Sequence, residues 1–405
     1  MSDLRVTGLA LTLAAVLLSC ARPYPHAAEP IGTVRMVYDG ALPFNLRVNT
    51  FRNIDRLFPS RRVDASGAPT PLASDTTPVP VRDVRFAFEG ATYGLEDYLD
   101  SNRVAGILVM KDGRIVLERY RYGNTERTRW MSMSVAKSIT STLVGVALKQ
   151  GHIASLDDSV TRYVPSLAGS AYDGVSLRDV LTMSSGVRWN ETYTDTTSDR
   201  RTLLEAQIAG RAGGALHVMR ALPRAAPPGT VNNYNTGETQ IVAEVLRGAT
   251  GLPLSVYLSD RIWKPAGMEA DAYWWLDSPG GVEIGGSGIA ATLRDYARFG
   301  QLILDGGVVG RDTLLPAGWV PEATQPRALR DGSIIDYAYL WWPGTTPAGR
   351  RDRAFSAEGI FGQFIYVNPA DRVVIVVWSA WPKPTNGVTF GWDWSFFEAV
   401  VAAMR

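Results

Sequence analysis

The period of the apolar positions changes three times along this chain. Two runs, VAGILVM (104–110) and RIVLERYRYG (114–123), are rich in β-branched and aromatic residues. They flank Lys111-Asp112-Gly113, and Asp-Gly between two such runs predicts a β-hairpin. The period then becomes helical. Val135, Ile139, Leu143, Val146 and Ala147 recur at helical spacing, and Val144 and Leu148 widen the apolar face. This predicts a helix from Ser134 to about Gln150, buried on most sides and closed by Gly151.

From 152 to about 310 the pattern is mainly helical with long loops. Ser176, with Asp179 three residues on, has the form of a helix N-cap. TGETQIVAEVLRGATG and LRDYARFGQLIL predict two further helices. Strand patterns return in DYAYLWW (336–342), GQFIYVN (362–368) and RVVIVVW (372–378). The last two form a hairpin around Pro369-Ala370-Asp371, and WDWSFFEAVVAAM (392–404) closes the chain as an amphipathic helix. Strands at both ends with a helical middle predict a mixed α/β fold. Its antiparallel sheet is built from the chain's two ends and flanked by helices, with a mainly helical subdomain (about 152–310) beside it. The junction is a favoured place for a site.

The N-terminus reads as an address. Residues 6–18, VTGLALTLAAVLL, form an apolar run too short to span a bilayer comfortably, and Arg5 precedes it. The run ends in Leu17-Leu18-Ser19-Cys20, which resembles the lipobox of bacterial lipoproteins. Residues 1–20 are therefore expected to be a lipoprotein-type signal peptide lipidated at Cys20, with the protein anchored at the bacterial cell envelope. A plain signal peptide with an incidental cysteine is the alternative. Residues 21–82 read as a tether and surface wrap, and 83–405 as the globular domain.

Composition narrows the chemistry. The 405 residues are 46% hydrophobic and 20% charged, with net charge +1, which gives no reason to expect nucleic acid as a partner. The lipid anchor is the only membrane contact expected. Only five of the 41 basic residues are lysines, namely Lys111, Lys137, Lys149, Lys264 and Lys383. Where arginine serves as the general cation, a retained lysine is more apt to do what arginine cannot, which is to lose a proton near neutral pH. The three histidines are His26, in the leader region, His152, just past a helix end, and His217, on a helix. They offer poor support for a Ser-His-Asp enzyme, and no complete G-x-S-x-G elbow is present.

Ser134-Val135-Ala136-Lys137 opens the first long helix. Residues at i and i+3 share a helix face, so a Lys137 amine lies above the Ser134 hydroxyl. Burial lowers an amine's pKa and lets it accept the serine proton, while N–H groups at a helix start favour developing negative charge. The plainer reading makes Ser134 a helix cap and lets Lys137 snorkel to the surface. Spacing alone leaves both open.

Ser134-x-x-Lys137 after a hairpin resembles the β-lactamase and penicillin-binding protein superfamily, in its class C-like branch. GHIASLDDSVTRYVPSL, VSLRDVLTMSSGVRWNETY, PPGTVNNYNTGETQ, IWKPAGM, GGSGIAATLRDYARFGQL and AEGIFGQFIYVNP extend the likeness over most of residues 100–380. WNETYTDTTSD draws it toward 6-aminohexanoate-oligomer hydrolases and related esterases. The resemblance implies a β-lactamase/transpeptidase-like fold and a serine hydrolase without metal or cofactor. In this scheme Ser134 is the nucleophile, Lys137 the base and Tyr234 the proton relay. The N–H groups of Ser134 and Ile360 form the oxyanion hole. Tyr234-Asn235-Thr236 stands where the family has Tyr-x-Asn, with Thr in the third place. Ala357-Glu358-Gly359 stands where it has Lys-Thr-Gly, so the usual cation is missing. Tyr193, Asp195, Asp199 and Gly359 are implied substrate contacts, and Trp341 and Trp342 candidate cleft walls. The expected substrate is a small-molecule amide or ester. The competing expectation is a non-catalytic envelope lipoprotein that binds peptidoglycan fragments or a protein partner.

Overall fold

The computed structural model describes residues 23–74, 80–385 and 389–405. The expected signal peptide and Cys20 lie outside them. The strands that matter here are β1 (Ser60–Val63), β2 (Val104–Lys111), β3 (Arg114–Tyr120), β4 (Arg129–Met131), β5 (Ala272–Trp275), β6 (Ile289–Thr292), β7 (Trp342–Pro343), β8 (Phe355–Gly359), β9 (Gln363–Asn368) and β10 (Val373–Ser379). The helices are α1 (Val34–Tyr38), α2 (Phe44–Phe51), α3 (Val135–Lys149), α4 (Asp199–Ile208), α5 (Thr236–Thr250), α6 (Leu293–Leu304) and α7 (Thr389–Ala403).

The main sheet has six strands in the order β7-β8-β9-β10-β2-β3, every pair antiparallel. It joins the chain's two ends, as the hydrophobic pattern predicts. The β2–β3 turn places Asp112 and Gly113 at φ +50° and +76°, the left-handed pair that a two-residue hairpin turn requires. The central strands β2, β9 and β10 are buried on both faces because α6 and α7 cover opposite sides. The Ser176–Asp179 capping box forms as expected, and Gly251 ends α5 in the left-handed region.

Three features depart from the sequence pattern. DYAYLWW is not a seven-residue strand: only Trp342–Pro343 pairs, because Leu340 turns to φ +60° and its N–H bonds to the Leu181 carbonyl. The middle of the chain contributes more than helices. Its strands β5 and β6 join β1 and β4 in a second sheet, ordered β1-β5-β6-β4. Residues 23–63 are built into the body and are not a loose tether. Phe51, Ile54 and Val63 are fully buried, and His26 sits against Thr128 at 2.9 Å and Glu29 at 3.0 Å. Among the described residues no single helix is long and apolar enough to cross a membrane.

Candidate active site

Ser134 follows β4 and precedes α3 at a tightly held turn. Ser132 is clamped to β6: its N–H donates to the Ile289 carbonyl (2.7 Å), and its Oγ accepts from the Ile289 N–H (3.0 Å). Met133 adopts φ +42°, a conformation that costs a non-glycine residue energy and is held only by its surroundings. Ser134 stands at the N-cap position, yet its side chain caps nothing. Its hydroxyl is left free for another partner, which disposes of the capping reading.

That partner is Lys137. Its Nζ lies 2.8 Å from Ser134 Oγ and donates to the Gly286 carbonyl at 3.1 Å. The lysine is 1% exposed, so it does not snorkel, and among the described residues no carboxylate lies within ion-pair distance of it. Burial pushes its pKa down to about 7; Glu191 partly opposes that shift and Arg200 adds to it. The local sequence explains the placement. Val135, Ala136 and Ile139 bury the first turns of α3, and Thr140 Oγ1 donates to the Gly285 carbonyl at 2.8 Å. A Cβ on Gly285 would meet the Thr239 carbonyl oxygen at 2.5 Å, so the backbone passes α5 at this position only as glycine.

Tyr234 immediately precedes Asn235, whose Oδ1 caps α5 by accepting from the Glu238 N–H (3.1 Å). The phenol ring stacks on Trp342 (centroids 5.5 Å apart, 24° between planes), and the Lys137 ammonium nitrogen lies 5.2 Å from its centroid. Burial, then Glu191, raises the Tyr234 pKa, while the neighbouring Ser134 hydroxyl lowers it. The phenol is therefore a neutral O–H donor at physiological pH. Thr236, which stands in the place of the family's Asn, has its N–H (2.9 Å) and its hydroxyl both occupied by Glu191.

The end of β8 approaches Ser134 closely. A Cβ on Gly359 would lie 3.1 Å from the Ser134 nitrogen and 2.6 Å from the Ser132 carbonyl oxygen, so only glycine lets the strand come this near. Among the described residues neither the Ser134 N–H nor the Ile360 N–H donates to a backbone or side-chain acceptor. Two unpaired amides at one cleft can bind an anionic oxygen.

These elements surround a cavity of about 770 Å³. Ser134, Tyr193, Tyr234, Gly359 and Ile360 line it, and Lys137 lies beneath Ser134. Asp195 and Asp199 do not. Asp195 closes its own turn by accepting from Thr197, and Asp199 accepts from the Asn190 N–H (2.9 Å) and from Arg188. Trp341 points into the core, stacked on Phe299 and edge-on to Phe355, and it is Trp342 that reaches the cavity. No histidine lines the cavity.

Four charged lining residues escape the sequence reading of the site. Glu191 accepts from Trp189 and Thr236 and lies 4.0 Å from Arg200. Its position two residues before Tyr193 in WNETY was the available signal. Asp39, paired with Arg201 at 2.8 Å, comes from the turn after α1, and Lys383 comes from the segment after β10. Both are far from the motifs in sequence and carry no local signature. The fourth is Glu358, visible in the sequence only as part of a drifted motif.

The profile of the Beta-lactamase family matches residues 95–394. The chain is 31% identical over 305 residues to the 6-aminohexanoate-dimer hydrolase of Paenarthrobacter ureafaciens, covering 72% of this chain and 76% of that protein. A Bacillus anthracis structure assigned as a 6-aminohexanoate-dimer hydrolase superposes with a TM-score of 0.77 at 24% identity, covering 88% of this chain and 93% of the other. A family VIII carboxylesterase shares the fold with a TM-score of 0.61 at 17% identity, over 82% and 99% of the two chains.

Proposed function

The chain belongs to the Beta-lactamase family of serine hydrolases, and from that premise we propose that it cleaves an ester or linear amide through an acyl-enzyme on Ser134. The observation that carries this is the 2.8 Å contact between Ser134 Oγ and the buried Lys137 amine. With its pKa near 7 a sizeable fraction of that amine is neutral at physiological pH. The neutral amine takes the serine proton as Oγ attacks the carbonyl carbon. The N–H groups of Ser134 and Ile360 hold the oxygen that becomes negative. The Tyr234 hydroxyl donates a proton to the departing alkoxide or amine and is reprotonated from Lys137. Water then attacks the acyl carbon by the reverse traffic and frees Ser134.

Esters and linear amides are favoured over β-lactams by two substitutions in one motif. Ala357 and Glu358 stand where the family's Lys-Thr-Gly offers a cation and a hydroxyl to a substrate carboxylate. Glu358 lines the cavity, and a carboxylate there repels such a group. The Paenarthrobacter relative is named for an amide dimer, which suits the same lining. Attachment to the cell envelope through Cys20 is part of the proposal. Labelled palmitate should enter the wild type and not Cys20→Ala.

Intact-mass measurement after treatment with a fluorophosphonate tests the mechanism. One adduct on wild type and none on Ser134→Ala is expected. Full esterase activity in Ser134→Ala would end the proposal in favour of a different nucleophile. Tight binding of peptidoglycan fragments with no turnover of nitrophenyl esters, nitrocefin or amide oligomers would favour a non-catalytic binding role.

A further inference from the structure

A second cavity, of about 340 Å³, adjoins the first and shares Trp342 and Glu358 with it. Trp342 and Trp394 line it, and Asp336, Thr345 and Thr346 form its polar edge. Most of the polar edge is already occupied. Asp336 pairs with Arg350 at 3.1 Å, and the Thr346 hydroxyl donates to Glu398. Glu358 differs. It is 8% exposed, and its Oε1 accepts from Ser356 Oγ (2.6 Å) and Trp394 Nε1 (3.3 Å). Its Oε2 receives no hydrogen bond among the described residues, yet it is not sealed from the cavities. No cation of the described residues pairs with this carboxylate.

A buried, charged carboxylate with one free oxygen, in a cavity that two tryptophans also line, is costly unless a cation meets it. Indole faces attract alkylammonium groups in the same place. We infer that this second cavity is a substrate subsite for an alkylammonium group, held by Glu358 in the space that Trp342 and Trp394 also line. The inference rests on the proposed Ser134 chemistry and adds a substrate class to it. Glu358 directly precedes Gly359 on β8, so a cation held there belongs to the molecule whose carbonyl faces Ser134. Burial pushes the Glu358 pKa up to about 7, so a cation beside it would favour its charged form.

The test compares isosteric esters that differ only in charge. One pair carries it on the leaving side, butyrylcholine against 3,3-dimethylbutyl butyrate. The other carries it on the acyl side, the p-nitrophenyl esters of 6-(trimethylammonio)hexanoic and 7,7-dimethyloctanoic acid. At pH 8 the wild type should prefer the cationic member of at least one pair by about 10-fold or more in kcat/KM. Glu358→Gln should bring that preference to near unity. The ratio is internal to each enzyme, so a smaller folded fraction cancels. In the wild type the same preference should shrink at pH 6, where Glu358 is protonated, a readout that needs no variant. Equal preference in wild type and Glu358→Gln, or none in the wild type, would overturn the subsite while leaving the Ser134 mechanism standing. No turnover of any of the four esters would instead sink that mechanism, and the subsite with it.

Discussion

Gly359 stands against the amide nitrogen of Ser134 with no room for a side chain: its missing Cβ would lie 3.1 Å from that nitrogen. The contact brings β8 to the start of α3 and sets the Ile360 N–H beside the Ser134 N–H. Gly359→Ala must push the strand away, because the nearest obstacles are the backbone atoms Ser132 O and Ser134 N. Loss of one oxyanion donor costs about 10²-fold or more in kcat. A kcat fall of that order, with KM little changed, is expected for p-nitrophenyl butyrate. A melting curve measured alongside should show a loss of about 1–3 kcal/mol, the usual scale of overpacking. Unchanged kcat would place the oxyanion elsewhere.

The buried Lys137 fixes a pH dependence. In the proposed mechanism its neutral form is the base, so kcat/KM should be low below pH 7 and rise to a plateau above it. Lys137→Arg should not restore activity, since a guanidinium stays charged, and a loss of about 10²–10⁴-fold is expected for it and for Lys137→Met. Stability rises with pH as well, over a higher window. The folded-state pKa lies below the ordinary lysine value, so between about pH 7 and 10.5 the unfolded chain binds a proton the folded chain does not. Wild-type stability should therefore rise with pH across that window. The Lys137→Met variant should melt higher than wild type at pH 6, and the gap should narrow by pH 9. Scanning calorimetry at both values reads this directly.

Glu191 supplies a third expectation. It is the largest influence holding the Lys137 pKa up against burial. Glu191→Gln should shift the acid limb of the pH–rate profile to lower pH. Thr236 also loses a charged acceptor for its N–H and hydroxyl, so a stability loss of about 1–3 kcal/mol should accompany the shift. An acid limb that stays in place would mean that another group sets it.

The sequence made the Ser134–Lys137 pair legible because the relationship is local, three residues apart on one helix. Tyr234 and Gly359-Ile360 are 100 and more than 220 residues away, and only family resemblance brought them to the same site. Glu191 passed unnoticed because its one signal, a place two residues before Tyr193, does not by itself separate a site carboxylate from a solvated one. Asp195 and Asp199, a few residues on, have the same chemistry but serve their own turns. DYAYLWW misled for a tertiary reason. Its alternation fits a strand, but contacts with Leu181 and Ser138 hold Leu340 in a bend. That bend turns Trp341 inward and leaves Trp342 at the cavity. The N-terminal wrap looked like a tether because its Pro- and Ala-rich flanks mask the apolar residues between them, and Asp39 arrives with that segment.

Tyr234 separates ester from amide chemistry. Its hydroxyl is neutral, since burial raises its pKa, and it lies beside both Ser134 and Lys137. An amide nitrogen must be protonated to leave, whereas p-nitrophenolate leaves without a proton. Tyr234→Phe keeps the ring stacked on Trp342 and removes only the O–H. For an anilide or a linear amide, kcat should fall by about 10²–10⁴-fold, the scale of a lost general acid. For the p-nitrophenyl ester of the same acid the fall should be much smaller, and a burst of p-nitrophenolate should persist if deacylation also relies on the phenol. The ratio of the two losses is the measurement. If both substrates lose the same factor, Tyr234 only positions Lys137 and Ser134, and the proton for the leaving group comes from Lys137 itself.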